Sequence, residues 1–309
     1  MRAFVFPGQG AQTIGMGREL AETYPVAMDV FREVDDALGE NLSKLIWEGD
    51  AEELTLTRNA QPALMATSMA AFRALEAEGF GIKDADYVAG HSLGEYSALC
   101  AAGAFSLADT ARLLRLRGQA MQDAVPVGVG AMAAILGLDF AAVDEIAREA
   151  AGDEVCQAAN DNDPAQVVIS GHKDAVERAA GLAKERGAKR ALMLPVSAPF
   201  HSVLMQPAAA AMSDALAAVE IQVPAVPVVA NVRAEPVLEP GAIRILLVEQ
   251  VTGSVRWRES VEFLAGAGVT EFWEIGAGKA LSGMIKRIAK DAGTRAIGSP
   301  ADIAALKDA

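Results

Sequence analysis

The pentapeptide Gly90-His91-Ser92-Leu93-Gly94 fits G-x-S-x-G. It follows a short apolar run, Tyr87–Ala89, and precedes a helical pattern closed by Gly103. Strand, sharp turn and helix are the setting in which a serine hydroxyl is lifted to a helix N-terminus. The glycines serve the turn, because backbones meet there where a Cβ would clash. The Leu93 amide, first in the helix, has no intrahelical acceptor and can donate to a developing oxyanion. The plain alternative for Ser92 is a helix-capping serine.

A serine nucleophile at neutral pH needs a base, and the chain has three histidines. His91 adjoins Ser92, so its ring points away and supports the turn. His172, in Ser170-Gly171-His172, precedes a helical pattern and suits a capping or surface role. His201, in Ser197-Ala198-Pro199-Phe200-His201-Ser202, follows a strand pattern and a proline-stiffened loop. It is the candidate base. No acidic third member is evident: Glu235, Glu239 and Glu249 carry no motif around them. A backbone or amide oxygen is left to orient the imidazole.

Pro7-Gly8-Gln9-Gly10-Ala11-Gln12 follows the first strand pattern, Ala3–Phe6. It fails the dinucleotide fingerprint at Thr13, so it reads as a glycine loop whose amides face Ser92. Ala277-Gly278-Lys279-Ala280 lacks the Ser or Thr of a phosphate loop, which excludes nucleoside triphosphate binding. On a helical wheel for 106–124, Leu113, Leu114, Arg117, Ala120 and Met121 share the apolar face, opposite Arg112, Arg115 and Gln119. A guanidinium on that face needs a partner. An internal salt bridge is one answer; capture of a substrate carboxylate is the other.

Elements must position these groups. The chain has 309 residues, 52% apolar and 22% charged, enough for about two structural units or one large α/β unit with an insertion. Strand and helix patterns alternate: helix Gln61–Glu78, helix from Leu93 to Ala102, helix Ser106–Ala124 with Ser106 as N-cap. Between Pro126 and Pro195 the order is strand Ala131–Leu138, helix Ala141–Ala151, strands Val155–Ala159 and Gln166–Ser170, helix Asp174–Arg186 and strand Arg190–Leu194. That is βαββαβ, a ferredoxin-like unit. The expected fold is therefore α/β. A large α/β-hydrolase-like domain with a parallel-sheet core, residues 1–125 and 198–309, carries an inserted ferredoxin-like domain over 126–197. Later patterns are helix Val203–Ala218, strand Val226–Ala230, helix Gly241–Val251, helix Val261–Ala267, strand Glu271–Glu274 and helix Leu281–Lys290.

Lys and Arg number 27 against 41 Asp and Glu, a net charge of −14. That balance argues against nucleic acid and anionic membrane partners. Two cysteines, Cys100 and Cys156, make neither a disulfide framework nor a thiolate zinc site. Met1–Gly10 has no apolar signal core, and the uncharged run Ala124–Leu138 is broken by Pro126 and glycines. A cytoplasmic monomer is expected, with no metal and no cofactor.

Together, Phe4-Val-Phe-Pro-Gly-Gln-Gly-Ala-Gln12, Gly90-His-Ser-Leu-Gly-Glu95, Arg117-Gly-Gln119, Gln166-Val-Val-Ile-Ser-Gly-His172, Pro199-Phe-His201, Val229-Ala-Asn-Val232, Gln250 and Trp257 resemble the malonyl-CoA:acyl carrier protein transacylases. The resemblance spans nearly the whole chain, in order and spacing. It departs at Ser254 and Ala277, where that family often has proline.

The resemblance implies malonyl transfer from malonyl-CoA to the phosphopantetheine thiol of acyl carrier protein, in fatty acid biosynthesis. Ser92 is then the nucleophile and His201 its base, oriented by the backbone carbonyl of Gln250. The amides of Gln9 and Leu93 form the oxyanion hole. Arg117 holds the malonyl carboxylate, with Met121, Asn160, Asn162 and Phe200 near the substrate; Asn160 and Asn162 match a polar loop. Phe200 would crowd an α-methyl branch. A polyketide pathway, or a serine thioesterase or esterase, are the alternatives. Because carrier proteins are acidic too, a local basic patch is needed for docking. Lys189, Arg190, Lys279, Lys286 and Arg287 are the candidates, ordinary solvated surface being the other reading.

Overall fold

The computed structural model describes residues 1–196 and 198–307. In chain order it contains β1 (Arg2–Phe6), α1 (Arg18–Thr23), α2 (Pro25–Leu38), α3 (Leu42–Glu48), α4 (Ala51–Thr55), α5 (Thr57–Ala77), β2 (Tyr87–Gly90), α6 (Leu93–Ala101) and α7 (Leu107–Asp123). Then come β3 (Gly130–Leu136), α8 (Phe140–Ala151), β4 (Cys156–Asp163), β5 (Gln166–His172), α9 (Lys173–Glu185) and β6 (Arg190–Met193). The chain closes with α10 (Gln206–Ala217), β7 (Val228–Ala230), β8 (Glu235–Val237), α11 (Pro240–Thr252), α12 (Trp257–Gly266), β9 (Glu271–Ile275), α13 (Ala280–Ile288), β10 (Gly293–Ile297) and α14 (Pro300–Ala304).

Six strands form one sheet in the order β10-β9-β1-β2-β7-β8, all parallel except the terminal β7–β8 pair. Strand β1 is buried on both faces, as a central parallel strand must be. Its alternation divides the core. Phe4 and Phe6 face a cluster with α2, α5 and α7, while Ala3 and Val5 face Trp257, Val261, Leu281 and Ile285 of α12 and α13. Helix α5 is buried along most of its length and runs through the middle of the first cluster. Ser106 caps α7 by accepting from the Asp109 amide at 3.0 Å, as the sequence predicts.

The second sheet is antiparallel, in the order β4-β5-β3-β6. This is the order a βαββαβ unit gives when both helices cross the same face. Ala133, Ile135, Val167 and Ile169 pack on α8 and α9; Met132, Ala134 and Val168 look the other way, with Phe200, Leu194 and Val196. Residue 197, where the sequence places the end of the inserted unit, lies outside the described residues.

Several elements differ from the sequence reading. Helix α2 is absent from that reading although it is 14 residues long with a clear apolar face of Ala27, Val30, Phe31 and Val34, whereas α1, α3, α4, β8, β10 and α14 are short and carry weak periodicity. The segment Val203–Ala218 divides into a 3-10 turn, Val203–Met205, and α10. Helix α12 begins at Trp257, earlier than the apolar pattern suggests. Strand β4 does not stop at Ala159 but runs to Asp163. Asn and Asp are poor strand formers, yet here each has a use. Two register shifts, between Ala158 and Asn160 and between Asp161 and Asp163, bend the strand. Asn160 and Asn162 line the cleft described below, whereas Asp161 binds Arg258 on α12 and Asp163 binds Arg287 on α13. A backbone bridge from Asn160 to Val255 joins the two sheets' supporting elements at the same point.

Asp161 is fully buried and accepts from Arg258 at 2.8 Å, and Arg258 keeps Glu262 as a second partner. Asp161→Ala is therefore expected to cost about 2 kcal/mol, the scale of a hydrogen bond to a charged group. Urea unfolding should show a lower midpoint at unchanged slope; an unshifted midpoint would contradict the clasp.

Candidate active site

Strand β2 ends in Gly90, and α6 begins at Leu93. A Cβ on Gly90 would lie 1.9 Å from the Gly94 carbonyl, and one on Gly94 would lie 2.2 Å from the Phe6 carbonyl oxygen. Only glycine fits either place, and the compression forces Ser92 to φ 53°. A serine pays strain there, and Asn231, in the loop after β7, holds it. Its Oδ1 accepts from the Ser92 amide at 2.8 Å and its Nδ2 donates to the Gly90 carbonyl at 2.7 Å.

Ser92 Oγ lies 2.8 Å from His201 Nε2. His201 Nδ1 lies 2.8 Å from the Gln250 backbone carbonyl, which can only accept, so Nδ1 carries the proton and Nε2 is free to accept from Ser92. His201 is itself at φ 57°, a turn that aims the ring at Ser92. Burial, reinforced by the Arg117 charge, pushes the His201 pKa down to about 3. The imidazole is thus neutral and competent to take a proton. No carboxylate is needed to fix its tautomer.

Arg117 projects from α7 and is 1% exposed. Its polar partners are all neutral: Gln61 Oε1 at 2.8 Å, Gln250 Oε1 at 2.8 Å and Ser92 Oγ at 3.2 Å. Its Nε has no partner among the described residues. The guanidinium also lies over the Tyr96 ring, 5.6 Å from its centroid. The internal salt bridge that the sequence left open is absent among the described residues. What remains is a buried cation at the cleft wall without an acidic partner among the described residues, able to accept an anion.

A cleft of about 390 Å³ opens between the two sheets. Ser92, His201, Arg117, Gln9, Leu93, Met121, Asn160, Asn162 and Phe200 all line it. The amides of Gln9 and Leu93 have no backbone acceptor among the described residues. Asn160 and Asn162 sit on strand β4, not in a loop, which corrects the sequence reading. Asn162 Oδ1 accepts from His91 Nε2 at 2.8 Å, so His91 braces the wall instead of reaching Ser92 Oγ. His172 is also accounted for: its Nδ1 accepts from the Val155 amide at 2.9 Å. All five basic candidates are exposed, Lys189 just before β6, Arg190 on it and the others around α13, but Arg287 is ion-paired to the buried Asp163. Arg287 is therefore not a free cation.

Three residues to which the sequence reading gave no role belong to the site. Gln61 is a ligand of Arg117; its only signal was a polar residue in an apolar helix. Asn231 pins the elbow. Glu95 is 3% exposed, and its Oε2 accepts from Gln250 Nε2 at 2.7 Å and from the Asn231 amide at 3.2 Å. Burial pushes its carboxyl up to about 7, against the pull of those hydrogen bonds and of Arg117.

The chain as a whole is similar to known acyl transferases. An acyl transferase domain family matches residues 3–297. The malonyl CoA-acyl carrier protein transacylase of Bacillus subtilis is 50% identical over 302 residues, covering 97% of this chain and 94% of its own. The crystal structure of an acyl-carrier-protein S-malonyltransferase from Bartonella henselae superposes with a TM-score of 0.97 at 56% identity, covering 99% of this chain and 98% of that one. A malonyl-transacylase solved in complex with its type II PKS acyl-carrier protein superposes at 0.96 with 44% identity, covering 100% and 99%.

The low His201 pKa has a visible consequence. In nuclear magnetic resonance titration the His201 ring should stay neutral as the pH falls through the usual histidine range near 6.5. The unfolded chain binds a proton there and the folded chain does not, so His201 removes stability progressively as the pH drops from about 6.5 toward about 3. A His201 titration midpoint at the ordinary histidine value would contradict the burial argument.

Proposed function

The chain belongs to the malonyl CoA-acyl carrier protein transacylases, within the acyl transferase domain family, and from that premise we propose how its own residues perform malonyl transfer. His201 Nε2 takes the Ser92 proton as Oγ attacks the thioester carbonyl of malonyl-CoA. The amides of Leu93 and Gln9 donate to the oxyanion. The intermediate collapses to a malonyl-serine ester, and the coenzyme A sulfur leaves with the proton from His201. In the second half, the phosphopantetheine thiol of acyl carrier protein gives its proton to His201 and attacks the ester; Ser92 recovers its proton as the malonyl thioester departs.

The observation that carries this reading is Arg117: a buried guanidinium 3.2 Å from the nucleophile, with only neutral protein partners. A carboxylate bound there replaces desolvation cost with a charge-assisted hydrogen bond. A simple esterase has no use for such a cation beside its serine. The pathway is fatty acid biosynthesis, and the acceptor an acyl carrier protein. The complex of a relative with its type II PKS acyl-carrier protein supports a carrier-protein acceptor.

Met121 packs on the Gln61 amide, with the sulfur 3.6 Å from Nε2, and so helps hold the carboxylate end of the cleft. Asn162, through His91, and Asn160 keep the opposite wall polar. Lys189, Arg190, Lys279 and Lys286 supply docking charge for the carrier. The reaction needs no metal or organic cofactor, and the enzyme works as a cytoplasmic monomer. No described helix is long and apolar enough to cross a membrane.

Intact-protein mass spectrometry after addition of malonyl-CoA tests the intermediate. Wild type should gain one malonyl group and lose it when carrier protein is added; Ser92→Ala should gain none. A malonyl adduct on Ser92→Ala would reassign the nucleophile, and rapid release of free malonate without a thiol would favour a hydrolase. Phe200→Ala should raise methylmalonyl-CoA transfer relative to malonyl-CoA by about 10-fold or more, the scale of one methyl group in a fitted pocket. An unchanged ratio would remove the steric role from Phe200.

A further inference from the structure

The Gln250 side chain stands between a buried cation and a buried anion. Its Oε1 accepts from Arg117 at 2.8 Å, and its Nε2 donates to Glu95 at 2.7 Å. Nε2 also lies 3.0 Å from the Ser92 carbonyl and 3.3 Å from Asn231 Oδ1. An amide can sit in such a place in two ways, related by a half-turn about its last bond. One presents oxygen to Arg117; the other presents NH2, donor against donor. The Ser92 carbonyl accepts only, and so does the Glu95 carboxylate above its titration range near 7; a flipped amide would aim oxygen at both, and the anion makes that contact the costlier one.

Glu95 has no basic side chain in direct contact among the described residues; its Oε2 meets only Gln250 and the Asn231 amide. A charge left buried without a counter-ion is expensive. Helix capping does not account for it, since the side chain bonds outside its own helix. We propose that Glu95 is a positioning residue for malonyl recognition: by holding the Gln250 NH2 it turns the Gln250 amide oxygen toward Arg117 and sets the guanidinium for the malonyl carboxylate. The proposal rests on Arg117 being the carboxylate ligand. Gln250 then serves the site twice, with its side chain on the carboxylate end and its backbone carbonyl on His201.

The test separates an oxygen acceptor from mere bulk. Glu95→Gln keeps an oxygen for the Gln250 NH2; Glu95→Leu keeps volume and removes the acceptor. Transfer from malonyl-CoA and from acetyl-CoA is measured for both, at a pH above the carboxyl's titration range. Glu95→Leu should lower the malonyl-to-acetyl ratio of kcat/KM by about 10-fold, mainly through the malonyl-CoA KM; the ratio is the readout, because losing the tie to Asn231 slows both acyl groups alike. Glu95→Gln should restore the ratio to within about 3-fold of wild type. Two variants that both keep the ratio, both lose it equally, or both lose malonyl and acetyl transfer in parallel would overturn the proposal. If Glu95→Leu yields no folded protein, Gln250→Leu reads the same link: the ratio should fall by a similar factor, and a retained ratio would overturn it. Arg117→Ala is run alongside. An unchanged ratio there would refute Arg117 as the carboxylate ligand, whereas a lost ratio with intact selectivity in the Glu95 variants would refute Glu95 alone.

Discussion

A guanidinium keeps its charge in any protein interior, and in this one Arg117 is buried beside the nucleophile with no carboxylate to neutralise it. That constraint organises the site. Gln61, from the long buried helix α5, and Gln250, from α11, turn amide oxygens toward the cation, which supplies dipoles without cancelling its charge. Burial keeps His201 neutral, and the charge of the same cation adds to the effect. The imidazole is oriented by the neutral Gln250 carbonyl, so no carboxylate is brought there beside Arg117.

The rest of the fold holds this arrangement in place. The sheet delivers Ser92 at the end of β2, and the glycines at 90 and 94 let the elbow close. The strain at Ser92 is balanced by Asn231, whose own amide is tied to Glu95. The small antiparallel sheet gives the cleft its other wall. Strand β4 does this by alternation: asparagines toward the cleft, aspartates toward Arg258 and Arg287 of the neighbouring helices. A shift of the small sheet would therefore break two ion pairs before it changed the cleft.

Much of this was legible in the sequence, for identifiable reasons. The elbow is local: a strand, two glycines and a helix start lie within a few residues. The βαββαβ order was readable because its helices carry strong one-sided apolar periodicity. Arg117 stood out because it falls on the wrong face of an otherwise ordinary helix. Helices α1, α3 and α4 and strands β8 and β10 were not legible, since elements of three to seven residues carry too little periodicity, whereas α2, with 14 residues and an apolar face, could have been read. The end of β4 was hidden because Asn and Asp argue against a strand unless their partners are known. Gln61, Glu95 and Asn231 lay outside the reading for the same reason. Their roles depend on hydrogen bonds spanning tens to more than a hundred residues, which no local pattern reports. Arg287 shows the converse, a basic residue that the sequence offers to a partner and the fold gives to Asp163.

The central claim is that a single buried cation makes this serine selective for an acyl group bearing a free carboxylate. The most direct measurement is competitive loading. Wild type and Arg117→Ala are each given equal amounts of malonyl-CoA and acetyl-CoA without carrier protein, and the acyl-serine on Ser92 is identified by mass spectrometry. Wild type should carry malonyl almost exclusively, while Arg117→Ala should lose that preference by about 100-fold, the scale of a buried charge pair left without its partner. An Arg117→Ala protein that loads more slowly but still prefers malonyl would contradict the claim.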